Sequence, residues 1–500
     1  MSSALEPVIG LEIHVQLATA TKLFCGCELS FGAPANTHTC AVCLGLPGAL
    51  PVVNARAIHF GLMIGMALGC EIAPRSIFHR KNYFYPDLPK GYQISQYDEP
   101  LCRGGALAGV RIHRVHLEED AAKLVHIGAS GRIHGSEQSV VDFNRGGTPL
   151  VEIVTEPDVH SPAQAREWLE LLRVTLRVLG VSDVNMDEGS LRADANVSLR
   201  AAGSEQLGTK TELKNMNSFR FLERGVAAEI ERQRAILEAG EEVVQETLHF
   251  DPASNAITTL RSKEEAHDYR YFPEPDLVPI AIERAMLDEA AGAMSELPAA
   301  RAERLERTLG LSVESARQLA FRSELGDYFE AALAAPVEPA PPAQALANWI
   351  SGDLLARLQD GVAAGGEGAD GERAGGESAD RDPSHSRVRP AAIAALVGLA
   401  SSKQISVGAA RQVLDRLVAE GGDPVAIVAA EGLAALDSGG GELAAIVAAA
   451  LAANADAAEG VRAGNAKAIG PIVGYVMRET KGRADGGEVT KLVHDQLGIS

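Results

Sequence analysis

The sequence predicts an α+β protein: a large, mostly antiparallel sheet domain at residues 1–294, a helical domain at 295–400 and a small helical tail at 401–500. Three observations carry this. Residues 8–17 (VIGLEIHVQL) alternate strictly, so a strand there sets Leu11, Ile13, Val15 and Leu17 on one face and Glu12, His14 and Gln16 on the other. Short alternating segments, Gly-Pro turns and aromatic clusters then recur to about residue 294, and every cysteine lies in that part. From about Ser295 the pattern changes to Ala, Leu, Glu and Arg at helical spacing.

Two helices interrupt the sheet domain. One covers residues 162–179, with Ser161 as N-cap and Pro162 at the first helical position; the other covers 218–239. Residues 361–386 consist of Gly, Ala, Glu, Asp, Arg and Ser with almost no large apolar side chain, which predicts a disordered insertion in the helical domain. Gly366, Gly368 and Gly371 match a dinucleotide fingerprint there, but no strand precedes them and no apolar helix follows. With no run of about 18 apolar residues and no basic, apolar leader, the expectation is a cytoplasmic protein without a membrane segment. The net charge of −21, from 46 basic and 67 acidic residues, argues against nonspecific coating of nucleic acid and leaves room for a local basic surface.

Six cysteines in 500 residues do not make a disulfide scaffold. Cys25 and Cys27, then Cys40 and Cys43, form two close pairs on a Gly/Pro-rich loop. Four thiolates so spaced suit a tetrahedral structural zinc that staples a loop with little core of its own. A redox Cys-x-x-Cys is the rival, without the βαβ context it normally has. His38 reads as a bystander, and Cys70 and Cys102 as single buried thiols.

Carboxylates come next. Glu152 sits inside the apolar run PLVEIV, where an unpaired charge costs several kcal/mol, so it needs a cation, an arginine or a proton. In VHLEED, alternation sets Glu119 with Val115 and Leu117, and Glu118 with His116 and Arg114. Glu12, His14, Glu119 and Glu152 together resemble an inward-facing magnesium cluster serving a phosphate; a wet strand face and a buried salt bridge are the ordinary alternatives. SLRADANVSLR alternates to give a polar face of Arg192, Asp194, Asn196, Ser198 and Arg200, and Lys210, Glu212 and Lys214 repeat the theme. This describes a solvated face or a nucleotide-binding sheet without a P-loop. Residues 80–87, 90–96 and 268–276 are dense in Tyr, Phe, Lys and Arg, in a chain only 4% aromatic: a core wall, a stacking surface for a base or the lining of a passage.

Taken together, VIGLEIHVQL, KLFCGC with CAVCLGLPGALPVVN, RKNYFYPDLPKGYQISQYD, HLEEDAAK, NRGGTPLVEIVTEPD, DEGSLRADANVSLR, KTELKNMNSFRF, DYRYFPEPDLVP and KAIGPIVGYVMRETKGRAD closely resemble the GatB family, the B subunits of bacterial aspartyl/glutamyl-tRNA amidotransferases. The resemblance spans nearly the whole chain. It implies a glutamine-synthetase-like cradle, a helical domain and a tail that docks on tRNA. It also implies ATP- and magnesium-dependent phosphorylation of the side-chain carboxylate of Glu or Asp misattached to tRNA(Gln) or tRNA(Asn). Ammonia would then form the amide. It would be channelled from an amidase subunit, which a further small subunit clasps to this one in a heterotrimer.

By the same resemblance the magnesium ligands fall on Glu12, His14, Glu119 and Glu152, and the zinc ligands on Cys25, Cys27, Cys40 and Cys43. The channel mouth falls near Lys81 and Lys90. Phosphoryl transfer asks mostly for metal and cationic positioning of phosphates, which the clustered acids plus Arg192 and Lys210 or Lys214 could supply. Two features depart from the family: the insertion at 361–386, and Ala484-Asp485-Gly486-Gly487 in place of a proline-containing turn. Binding of tRNA would then rely on tail cations such as Arg478, Lys481 and Arg483. A non-catalytic RNA-binding adaptor leaves Glu152 unexplained, and a stand-alone ligase of small acids leaves the tail unexplained.

Overall fold

The structure is a computed structural model that describes residues 5–127, 136–261, 269–358, 382–435, 441–480 and 483–499. The chain divides into two compact units, Met1–Leu297 and Pro298–Ser500.

The first unit is built on β1 (Leu5–Gln16), whose alternation is borne out: Leu11, Ile13 and Val15 are at most 1% exposed, while Glu12, His14 and Gln16 lie on the opposite face. The other long strands are β2 (Val110–Glu119), β3 (Pro149–Thr155), β4 (Leu191–Ala201), β5 (Thr211–Met216), β6 (Thr247–Asp251) and β7 (Ala256–Arg261). They order as β7-β6-β5-β4-β1-β3-β2, continue through Cys102–Arg103 to Glu71–Ile72, and make a ten-stranded sheet with Ala106–Leu107 beside β2. Only β5–β6 is parallel among these pairs.

Helices cover the apolar face. α1 (Ala55–Ala67) approaches β2 closely at Gly61, where an added Cβ would lie 2.6 Å from Leu101 Cδ2 and 3.7 Å from Leu117. α2 (Pro162–Val178) starts at Ser161, whose hydroxyl accepts from Gln164 N, and its Trp168 Nε1 donates to Leu107 O at 2.9 Å. α3 (Phe219–Glu238) starts at Ser218 in the same way and packs on β4 and β5. There Gln233 Nε2 donates to Val197 O at 2.9 Å, and the fully buried Glu229 is held by Arg232 and Thr211. Both helices therefore fall where the N-cap serines and apolar spacing place them.

A three-stranded sheet joins the aromatic segments that are distant in sequence: His79–Asn82 pairs with both Tyr92–Ser95 and Phe272–Pro273. Arg80 locks it with a bidentate pair to Glu274, at 2.7 and 2.8 Å.

In the second unit one apolar core runs from Ala302 to Leu433 and another from Leu443 to Val493. The packing corrects the boundary read at residue 400. Pro390–Ser401 and Val407–Glu420 pack together in the first core, so the polar residues between them are a turn inside one body rather than a linker. The insertion read at 361–386 lies outside the described residues up to 381; residues 382–386 instead form a 3-10 turn capped by Asp382, with Pro383 buried. Among the described residues no single helix is long and apolar enough to cross a membrane.

Gly208 lies where an added Cβ would come within 2.1 Å of the Leu199 carbonyl oxygen, backbone that cannot give way without disturbing β4. Gly208→Ala is expected to cost about 1–3 kcal/mol of stability, by analogy with overpacking. Denaturant unfolding followed by fluorescence, with the Trp349→Phe background isolating Trp168, checks this.

Candidate functional site

In an antiparallel pair, directly opposed residues share a face of the sheet. β1 sets His14 opposite Glu152 of β3 and Arg192 of β4, and β3 sets Glu152 opposite His116 of β2. One row across four strands therefore reads His116, Glu152, His14, Arg192 on the open face. Glu118 stands two residues along β2 from His116 on the same face.

The side chains converge. His14 Nε2 lies 3.5 Å from Glu118 Oε1 and 3.7 Å from Glu152 Oε2. His116 Nε2 lies 3.2 Å from Glu152 Oε2 and 3.8 Å from Glu118 Oε2. One ligand atom each from His14, Glu118 and Glu152 falls within 4.8 Å of the others, which suits one hard divalent cation. Burial works against charge at Glu152, Glu118 and His116, and the neighbours overcome it. Glu152 is held well below the ordinary carboxylate range by His116, His14 and Lys81, and Glu118 is lowered by His116 and Lys81 despite being buried. His116 is pushed up to about 9 by Glu152 and Glu118.

Of the acids expected here, His14 brings in Glu152 but not Glu119. Strand alternation turns Glu119 to the opposite face, where its carboxylate takes Lys90 Nζ and Ile94 N as donors. Glu118 occupies the place that Glu119 was expected to hold, and His116 is a fourth member of the cluster. The alternation of VHLEED already grouped these two residues. Glu12 sits one step along β1, accepting from Asn196 Nδ2 at 2.9 Å, its pKa raised by burial and by Glu152. Lys81 is half-buried beside the cluster, its ammonium 4.9 Å from the Tyr269 ring, and Glu118 and Glu152 raise its pKa against the cost of desolvation.

The expected nucleotide residues form a band beside the cluster. Arg192 donates to Asp120 Oδ1 at 3.1 Å, and Gln16 and Arg145 brace the same carboxylate. Lys214 bridges Asp194 at 3.0 Å and Glu212 at 2.7 Å, and Thr247 donates to Glu212 at 2.9 Å. Lys210 is exposed just ahead of β5 and acts on Glu212 through its charge.

Away from the open face, the sulfurs of Cys25, Cys27, Cys40 and Cys43 all lie within 4.8 Å of one another, with Cys40 and Cys43 at 3.9 Å. A tetrahedron with bonds of about 2.3 Å has edges of about 3.8 Å, so the Cys40–Cys43 separation fits zinc and the four thiols are close enough together to hold one. Contact with Cys25 lowers Cys43 to about 4, with the ammonium of the buried Lys22 adding to it, and Cys25 rises in turn. His38 Nδ1 donates to Glu28 O at 3.0 Å and stays outside the four-sulfur group. Cys102 is buried and Cys70 half-buried.

Glu212 offers a pH test. Burial raises its pKa, but Lys214, Thr247 and Lys210 bring it below the usual 4.5. A depressed folded pKa contributes stability that is complete above the ordinary carboxylate range and is lost as pH falls below it. Glu212→Gln is therefore expected to flatten the acid side of the stability curve between pH about 6 and 3, measured by urea unfolding at each pH.

Residues 7–288 match the family described as the GatB/GatE catalytic domain, and residues 373–497 match the GatB domain. A chain from Anaeromyxobacter sp. (strain K), named as the B subunit of an aspartyl/glutamyl-tRNA(Asn/Gln) amidotransferase, is 47% identical over 504 residues, covering 99% of each. Chains with the same name from Moorella thermoacetica and Frankia casuarinae are each 47% identical, covering 98% and 99% of this chain and 99% and 96% of their own. With a family match across most of its first unit and relatives of this identity from end to end, the chain belongs to the GatB/GatE family.

Proposed function

We propose that this chain is the ATP-using subunit of a glutamine-hydrolysing aminoacyl-tRNA amidotransferase, acting on Glu-tRNA(Gln), Asp-tRNA(Asn) or both. The observation that carries the reading is the row of His116, Glu152, His14 and Arg192, with Glu118 beside it. Two acids and two imidazoles are gathered on an otherwise open sheet face, next to a band of arginine, lysine and amide groups.

His14, Glu118 and Glu152 would hold a magnesium ion, which when bound draws charge from phosphoryl oxygens and so favours their transfer. The protein groups do the positioning. Arg192, held by Asp120, addresses a phosphate from a fixed direction, and Lys214 and Asn196 line the path along β4 and β5. The γ-phosphoryl group of ATP passes to an oxygen of the misattached side-chain carboxylate, and ADP leaves. Ammonia then attacks the same carbonyl carbon, phosphate departs with the C–O bond, and one proton is lost to give the amide. Lys81, half-buried beside the acids, would supply positive charge where the acyl phosphate would stand, and the tyrosines around it would keep water away.

Ammonia would come from an amidase partner held in a heterotrimer by a small third subunit, in keeping with the relatives' designation as B subunits. The cavity that Lys90 and Glu119 share with the thiol loop marks the side from which it would arrive. Structural zinc in the four thiols would fix that loop. In the tail Arg478 is exposed and Arg483 half-buried, cations suited to RNA phosphates; Lys481 lies outside the described residues.

The test is ATP cleavage by the complex of this chain with its amidase and small subunits, with and without misacylated tRNA. Glu152→Gln and Glu118→Gln are each expected to lower tRNA-stimulated cleavage by at least about 100-fold while glutamine hydrolysis by the amidase persists. Full stimulated turnover in either variant sinks the assignment. Elemental analysis is expected to find about one zinc per chain, lost in Cys43→Ala together with several degrees of thermal stability.

A further inference from the structure

On the side of the acid–histidine cluster away from the nucleotide band lies a concavity of about 280 Å³, lined by Tyr97, Pro100, Arg103, His113 and Arg114. That volume is close to the lower end of the roughly 300–1,000 Å³ of small-ligand sites. Two features in it call for a ligand. Arg103 and Arg114 are directly opposed on neighbouring strands, an arrangement of like charges that is destabilising unless an anion joins it. Arg114 has its Nη2 3.9 Å from Glu152, an acid already engaged by His116, and its buried Nε has no hydrogen-bond partner. The nearby acids are otherwise occupied: Glu156 pairs with His113 at 2.8 Å and Asp98 with His79 at 2.8 Å, while Arg103 donates to the Asp98 backbone carbonyl.

The second feature is aromatic. Tyr271 stacks on Tyr97 with centroids 4.2 Å apart and planes within 12°, and the His79 ring meets Tyr97 edge-on. Tyr97 is thereby held in one orientation, yet it stays 49% exposed and lines the concavity. A fixed, half-open ring beside paired arginines is the arrangement that takes a nucleobase and its phosphate.

We infer that this concavity receives the 3′-terminal adenosine of the aminoacyl-tRNA, with the base on Tyr97 and the adjoining phosphodiester against Arg103 and Arg114. The inference rests on the transamidation reading of the neighbouring cluster. Sheet order gives it direction: the nucleotide band lies on β4 and β5, the cluster on β1, β3 and β2, and the concavity at the β2 edge beside Cys102–Arg103. ATP and the aminoacyl end then approach the metal ligands from opposite sides. The aminoacyl ester needs to cross only from Arg114 to Glu152, which nearly touch.

The experiment uses the assembled complex and misacylated tRNA. Tyr97→Ala is expected to raise KM for the tRNA about 10-fold, the loss of one base–ring stack, with KM for ATP unchanged. Tyr97→Phe, which keeps a ring on Tyr271, restores most of that loss. In the unaltered protein, tRNA ending in 8-azidoadenosine is expected to label the segment from Tyr97 to Arg114 on illumination. Labelling elsewhere overturns the inference. So does a Tyr97→Ala effect on KM for ATP rather than tRNA, which would hand the ring to the nucleotide's adenine, or no effect on either. The two readings fail separately: if Glu152→Gln keeps full turnover while the label still falls at Tyr97, the cluster assignment is lost and the adenosine site stands.

Discussion

The pairing register of β1 with β3, and of β3 with β2, is the constraint on which the rest of the first unit depends. A slip of one residue in either pair would carry His14 or Glu152 to the helix-covered face and bring an apolar side chain into the open. The register is enforced from the other side of the sheet, where Ile13, Val115, Leu117, Val151 and Ile153 are fully buried. At about 25 cal/mol per Å² of apolar surface, each such side chain contributes roughly 1.5–3 kcal/mol toward keeping its strand the right way up. The chemistry of the open face is therefore held in place by the apolar packing behind it.

Once the register is set, charge has to be matched. Glu118 and Glu152 are 2% and 8% exposed, and two adjacent buried carboxylates would repel each other and lose hydration together. The fold answers with His14, His116, Lys81 and Arg114 around them. That charge balance has a functional corollary. Groups that keep two carboxylates ionised at close range would also keep them ready for the divalent cation proposed above. Glu119 has been given the opposite task, anchoring Lys90 and the Ile94 amide where the sheet meets the thiol loop. Two neighbouring glutamates thus serve two faces of one strand.

An acidic chain can still carry basic surfaces, because its charges are segregated. The net charge of −21 coexists with local concentrations of arginine, lysine and tyrosine at the rim of the cluster. Long-range attraction to RNA is weak for such a protein, so the RNA binding proposed above would depend on close contacts made at a few prepared places.

Short-range regularities were legible in the sequence. Alternation in residues 8–17 located β1 and its polar face, the Ser161 cap and helical spacing located α2, helical spacing located α3, and the spacing of the cysteines located a four-thiol group that the structure closes to within 4.8 Å. Glu152 stood out because a carboxylate in an apolar strand needs a partner. All of these follow from the period of a strand or helix, or from the cost of burying one charge, and need only a few consecutive residues. Tertiary structure decided what met what. Long-range pairing put Glu118 rather than Glu119 beside His14, added His116, joined residues 79–97 to 271–274, and opposed Arg103 to Arg114. Packing of Pro390–Ser401 on Val407–Glu420 carried the helical core past residue 400, where local composition had suggested a break. Which neighbours two strands or two helices choose is settled by apolar burial summed over the whole unit, and no local window of sequence contains that sum.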